Sequence, residues 1–212
     1  EEGQVRFSSA SRGSSSAPFR FRDTVYRNIY LSPLSSAVIH TDQFQRLKHI
    51  HQLGTAHFCF PTATHTRFEH CIGVAYLTRR FMQHIRHSQL ELELTDHHVQ
   101  MVEVAGLCHD LGHGPFSHTY EVAQWKADPR NNESHEDRSI ALTREILGSL
   151  QDPPSEDFID AVCYMIDPKP SMEHVPPIIQ QKPYLAEIVA NKHHGIDTDK
   201  LDYLLRDTHH VM

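Results

Sequence analysis

The 212-residue sequence predicts a mainly α-helical globule with at most minor β structure. Apolar residues recur at helical spacing in segment after segment, strand-like alternation is sparse, and there is no internal repeat. Hydrophobic residues are 39% of the chain, enough for one sizeable core, and nothing demands a second domain.

Residues 1–22, which include Phe7 to Pro18, are Ser- and Arg-rich without a hydrophobic period, and read as a flexible arm ahead of a globular region at 23–212. From Val38 to Leu53 the spacing predicts a helix, with Phe44, Leu47 and Ile50 in one stripe. Thr66 stands where it can cap a second helix, from about Arg67 to His84. His98 to Cys108 reads as a third. Ser134 caps a fourth, through Ile140 and Ile146 to Leu150; Glu156 to Ile166 makes a fifth, and Tyr184 to Ala190 begins a sixth. Pro168, Pro170, Pro176, Pro177 and Pro183 mark an irregular excursion between the last two.

Composition narrows the function classes. Acids number 27 against 20 bases, a formal charge of -7, which argues against a broad electrostatic footprint for nucleic acid. Cys59, Cys71, Cys108 and Cys163 have no C-x-x-C spacing, so a zinc ribbon or dithiol motif is not expected, and reduced intracellular thiols are the simpler reading. No apolar run approaches the ~18 residues of a membrane span, so a soluble protein with no membrane partner is expected, nucleus or cytoplasm undetermined. The sequence holds 19 histidines, so most must be ordinary surface or half-buried residues, and spacing has to single out the useful ones.

Spacing singles out Ala105-Gly-Leu-Cys-His-Asp-Leu-Gly-His-Gly-Pro-Phe-Ser-His118. Its His109-Asp110 doublet is a metal-site nucleus, because imidazole nitrogen and carboxylate oxygen together suit Zn, Mn, Fe or Ni. Adjacent residues share one ion only where the backbone bends, and Gly112, Gly114 and Pro115 supply bending residues. His109-Asp-Leu-Gly-His113 imitates the H-E-x-x-H of zinc proteases, but Gly112 interrupts the helix that motif needs and Asp110 is a shorter base.

Two distant stretches join the doublet: His65 to Val74, and Asn191 to Asp207. With them the chain resembles the HD-domain phosphohydrolases, whose pattern is H, then HD, then D. It is most similar to the eukaryotic deoxynucleoside triphosphate triphosphohydrolases that in vertebrates carry an added SAM domain. The matching pieces are Gln43-Phe-Gln-Arg-Leu47, Arg67-Phe-Glu-His70, the doublet segment, Ser134-His-Glu136 and Gly195-Ile-Asp-Thr-Asp-Lys-Leu-Asp-Tyr203. The resemblance covers Asp23 to Met212, and the family's catalytic domain normally continues beyond that end.

The resemblance implies that His70, His109, Asp110 and Asp199 hold one divalent transition metal (Zn, Mn or Fe), with Mg accompanying the nucleotide's own phosphates. Taken alone, Asp199 has another reading, as a cap of the helix containing Lys200-Leu-Asp-Tyr203. Arg67, Lys200 and Tyr203 match residues that meet the triphosphate; Gln52 and Leu53 match sugar contacts; Asp207 matches a carboxylate that reads the 3′ hydroxyl. His113, His118 and His135 match active-site histidines, His118 being the one that protonates the leaving 5′ oxygen, with Glu121 orienting it where the family has Asp. For His113 and His135 a purely structural hydrogen-bonding role is the alternative.

The implied reaction releases a deoxynucleoside and inorganic triphosphate from a dNTP, in a homo-oligomer (dimer or tetramer) with a nucleotide activator. Three positions depart from vertebrate members: His40 replaces an Asp that reads guanine, Lys48 an Arg, and Arg22 an Asn. Neither His nor Lys accepts from guanine's N1 and N2 donors as a carboxylate does. Two alternatives share the ligands: an HD phosphohydrolase acting on monophosphates or signalling nucleotides, and an inactive nucleotide- or RNA-binding relative.

Overall fold

The computed structural model describes residues 19–128, 130, 133–169 and 175–212. It is mainly helical, with one two-stranded sheet among the described residues.

Strands β1 (Phe19–Asp23) and β2 (Arg27–Leu31) form an antiparallel hairpin in which Phe21 faces Ile29. The alternation of β2 buries Ile29 and Leu31 completely. Residues 19–22 are therefore strand and not arm; the rest of the expected arm, with Pro170 of the proline-rich interval, lies outside the described residues.

The helix expected over 38–53 is broken. Helix α1 (Pro33–Ile39) starts at the Ser32 cap, and α2 (Asp42–Gln45) follows at once, running into a 3₁₀ turn at Arg46–His49. The Thr41 hydroxyl donates to Val38 O at 2.7 Å and accepts from Phe44 N at 3.4 Å, so it ends one helix and starts the next. Phe44, Leu47 and Ile50 nevertheless all reach the core.

Helix α3 (Arg67–Ser88) begins where expected and outlasts the expected end at His84. Thr66 occupies the cap position, but its hydroxyl donates to Glu69 instead of accepting from the backbone. Helix α4 (Asp96–Cys108) starts two residues before His98, because Thr95 and the His98 ring form a reciprocal capping box. Helix α5 (His118–Ala127) has no counterpart in the expected elements. The Ser134 box starts α6 (His135–Ser149), and α7 (Glu156–Ile166) has its expected bounds. The proline-rich interval holds a short helix, α8 (Pro177–Gln181), with Pro177 in the first turn, where its missing N–H is harmless. A 3₁₀ turn at Pro183–Leu185 and α9 (Ala186–Val189) divide the single helix expected at 184–190, and α10 (Thr198–Val211) ends the chain.

Helix α4 is the core element: it packs on α3, α7, α1 and α9, with Val102, Val104, Ala105 and Leu107 fully buried. Its one buried acid, Glu103, accepts from Ser32 N (2.8 Å), Ser35 Oγ (2.6 Å) and Arg79 Nη1 (2.5 Å), joining α1 to α3. The four cysteines are unpaired. No helix among the described residues is long and apolar enough to cross a membrane.

Candidate metal centre and active site

His70 lies in the first turns of α3, His109 is the C-cap of α4, Asp110 follows it, and Asp199 sits in the first turn of α10. Their donor atoms converge. His70 Nε2 is 3.2 Å from His109 Nε2, 3.0 Å from Asp199 Oδ1 and 3.5 Å from Asp110 Oδ2. His109 Nε2 is 3.3 Å from Asp199 Oδ1 and 3.5 Å from Asp110 Oδ2. The cap of α10 is Asp197, which accepts from Lys200 N; Asp199 is free of that task.

This donor set fits a cation. His109 Nδ1 faces Gly106 O at 2.8 Å and His70 Nδ1 faces Asp202 Oδ2 at 2.8 Å, so each Nδ1 donates and each Nε2 is the ring atom aimed at the shared point. Burial pushes the His70 imidazole down, yet Asp199 and Asp202 overcome this and hold it well above its ordinary value. For Asp199 burial is likewise overridden, and His109 and His70 hold its carboxyl well below the usual range. Two carboxylates facing one point need positive charge between them, whether protons on the rings or a metal ion, and His70, His109 and Asp110 are placed to hold a metal ion.

The segment after the doublet bends differently from expectation. Gly112 is required for close approach, not for a left-handed backbone: a Cβ there would lie 2.2 Å from His135 O. The positive φ angles fall on Phe116 (65°) and Ser117 (53°). Arg46 clamps the segment by donating to Leu111 O at 2.5 Å and His113 O at 2.8 Å.

A second histidine group lies beside the first. His113 Nε2 is 3.2 Å from Asp110 Oδ1, its ring stacks on His135 at 4.0 Å, and His118 meets both edge-on. Burial drives the His113 imidazole down to about 4 against the pull of Asp110. Glu121 joins the other two: one oxygen accepts from His135 N (2.6 Å), His135 Nδ1 (3.0 Å) and Arg138 Nη2 (3.2 Å), and the other lies 3.3 Å from His118 Nδ1. Burial pushes its carboxyl up, but His135 and His118 prevail and keep it below the ordinary range.

Arg67 is buried, donating to Asp110 and, through Nε at 3.1 Å, to Ser117 Oγ. Gln52 is buried beside half-buried Leu53, with Oε1 lacking a partner. Asp207 Oδ1 is 2.7 Å from His65 Nε2, and Gln52 N donates to His65 O at 3.0 Å, so His65 links Asp207 to Gln52. Lys200 and Tyr203 are half-buried on α10. An open pocket at this convergence is lined by His109, Asp110, Asp199, His135, Glu136 and Lys192.

Sequence reasoning missed Asp202, Arg206, Arg46 and His65. Asp199, Asp202 and Arg206 sit at i, i+3 and i+7, a helical-face signal that was available. Arg46 and His65 lay inside quoted motifs, but only the fold shows their partners.

Comparison with known proteins agrees with this geometry. The HD domain family matches residues 67–207. The chain is 37% identical over 214 residues to the deoxynucleoside triphosphate triphosphohydrolase SAMHD1 of Bos taurus, covering 89% of this chain and 35% of that protein. The corresponding homolog of Dictyostelium discoideum is 38% identical over 191 residues, 89% of this chain and 36% of its own length. A putative HD domain-containing protein of Acanthamoeba polyphaga mimivirus is 35% identical, with 89% and 42% covered. The chain thus spans about a third of the length of the first two relatives. Matching the family over 67–207, with the H, the HD and the D of its pattern brought to one point, this chain belongs to the HD-domain family.

Proposed function

We propose that this chain carries the hydrolytic centre of a metal-dependent deoxynucleoside triphosphate triphosphohydrolase, which releases a deoxynucleoside and inorganic triphosphate. The observation that carries the reading is the convergence of His70, His109, Asp110 and Asp199 to 3.0–3.5 Å, in a chain similar to proteins named for that activity. A divalent ion (Zn, Mn or Fe) supplies Lewis-acid activation of water and of a phosphate oxygen when bound. The chain's own residues do the rest. Arg67, Lys200 and Tyr203 bring a guanidinium, an ammonium and a phenol to the triphosphate oxygens, and Mg accompanies the nucleotide. The Gln52 Oε1 that lacks a partner and the Asp207 carboxylate held by His65 are acceptors for sugar hydroxyls, with Leu53 against the ring.

His118 is exposed and turns Nδ1 to Glu121, which leaves Nε2 to carry a proton to the departing 5′ oxygen. His113 and His135 form the wall behind it. The same reading includes a homo-oligomer and a nucleotide activator, although Arg22, His40 and Lys48, which are exposed, depart from the vertebrate pattern where guanine is read.

The test is incubation of the purified chain with Mn or Mg and each dNTP. Triphosphate is the expected product, and Asp110→Ala is expected to abolish both bound metal and turnover. Activity surviving that change would overturn the assignment. Release of phosphate or pyrophosphate would move the chain to the phosphohydrolases of other nucleotides, and binding without turnover to the inactive relatives.

A further inference from the structure

Outside the residues assigned to chemistry, a line of buried charge runs from the hairpin turn to His70. Asp23 closes the turn, its Oδ1 accepting from Val25 N and Tyr26 N, both at 2.8 Å. Its Oδ2 accepts from Arg206 Nη1 at 2.9 Å, across 183 residues of sequence. Arg206 forks onto Asp202, Nε to Oδ2 at 2.9 Å and Nη2 to Oδ1 at 3.1 Å. Asp202 Oδ2 accepts in turn from His70 Nδ1. The side chains of Arg206, Asp202 and His70 are fully buried, and that of Asp23 is 7% exposed. Helix α3 is bare at Gly73 where the fork passes.

We infer that Asp23 is a positioning residue of the metal centre: through Arg206 and Asp202 it fixes the aim of His70, so the hairpin turn and metal occupancy are coupled. The inference rests on the metal-centre reading above. Its key is that one oxygen, Asp202 Oδ2, serves both Arg206 Nε and His70 Nδ1. While Asp23 shares the guanidinium charge, Asp202 retains density for His70. Without the Asp23 charge, Arg206 draws on Asp202 alone, at the expense of the hydrogen bond that orients His70 and supports its donor strength. Carboxylates behind a ligating histidine commonly act in this way.

Asp23→Asn removes the charge and keeps an oxygen for the turn amides. The Mn2+ dissociation constant is expected to rise about tenfold, and the His70 ring N–H resonance to shift in the metal-free protein. Asn28→Ala breaks the Arg20–Asn28 contact elsewhere in the hairpin and is expected to leave affinity unchanged. Coupling is reciprocal, so in the unaltered protein removal of Mn2+ by a chelator should speed amide exchange at Val25 and Tyr26 relative to the strand amides. Folded Asp23→Asn with Mn2+ affinity within about twofold of the original overturns the inference. So does exchange at Val25 and Tyr26 that ignores chelation, which needs no variant. An unaltered chain that binds none of Mn2+, Zn2+ and Fe2+ overturns the metal-centre reading beneath it instead, and if only Zn2+ or Fe2+ binds, the same comparisons are read with that ion.

Discussion

Replacing Gly73 with Ala tests the packing that brings α10 to the metal site. The new Cβ would lie 2.1 Å from Asp202 Oδ1 and 2.4 Å from Arg206 Nη2. Comfortable heavy-atom contacts begin at about 3.5 Å, so something must move by roughly 1.4 Å. The atoms it meets are buried and doubly held, so the fork must open or α10 must back away. Overpacking of a core costs about 1–3 kcal/mol, and disrupting a buried ion pair about 3–5 kcal/mol. Ala regains about 1 kcal/mol of helix propensity over Gly. A net loss of about 3–7 kcal/mol is therefore expected, or a fall in Tm of roughly 6–28 °C for a chain of this size. Gly148 in α6 is the control, since a Cβ there meets nothing within 4 Å, and Gly148→Ala should be neutral or stabilising by about 0.5 kcal/mol. Thermal unfolding followed by circular dichroism reads both. A Gly73→Ala protein as stable as the original would refute the packing argument.

Three further outcomes follow from buried or shared charge. Glu121→Gln weakens the hold on His118 and His135 together, and steady-state kinetics should find kcat lower by roughly 10–100-fold, part of the general-acid contribution, with KM little changed; a KM effect alone would assign Glu121 to binding. Glu103→Leu strands Ser32 N, the Ser35 hydroxyl and the Arg79 guanidinium, and chemical denaturation should register a loss of about 3–5 kcal/mol. Asp167 has a carboxyl that burial pushes up but that Lys192 and Lys169 bring below its ordinary 3.8. A depressed carboxyl stabilises fully above the unfolded value and loses that contribution as pH falls through the folded one. Asp167→Asn should thus be less stable near neutrality, with a shallower acid limb, and the two proteins should converge at the acid extreme.

Local chemistry explains which parts of this fold were legible. Ser134 and Glu156 to Ile166 could be read directly because the cap and the apolar period agree, and the structure has α6 and α7 where they point. The 38–53 segment misled because its stripe is real while Thr41 diverts the backbone, so burial pattern and helix continuity part company. Helix α5 has no buried residues, hence no apolar period to find. At the site, residue types singled out His109 and Asp110, and the family resemblance added His70 and Asp199; the structure brings the four together. The partners behind them were invisible because Asp23 and Arg206, or His65 and Asp207, are joined only by tertiary packing.

Helix α10 shows why those partners matter. An ordinary surface helix turns its apolar stripe inward, yet here Leu201, Leu204 and Leu205 are each more than 50% exposed while Asp202 and Arg206 are fully buried. The helix therefore docks largely through charge: Asp199 toward the histidines, Asp202 to His70, Arg206 to Asp202 and Asp23. Charge docking differs from apolar docking in depending on its partners being present, because a buried ion left alone costs several kcal/mol. In the proposed centre, a cation bound where His70, His109, Asp110 and Asp199 converge would offset Asp199 and Asp110 and so support the attachment of α10. At one hundred times its dissociation constant, an ion that binds only the folded state adds about 2.7 kcal/mol. On that proposal metal, α10 and hairpin would form one thermodynamic unit, and Gly73, which lets the helices meet, would serve the site as much as the proposed ligands do.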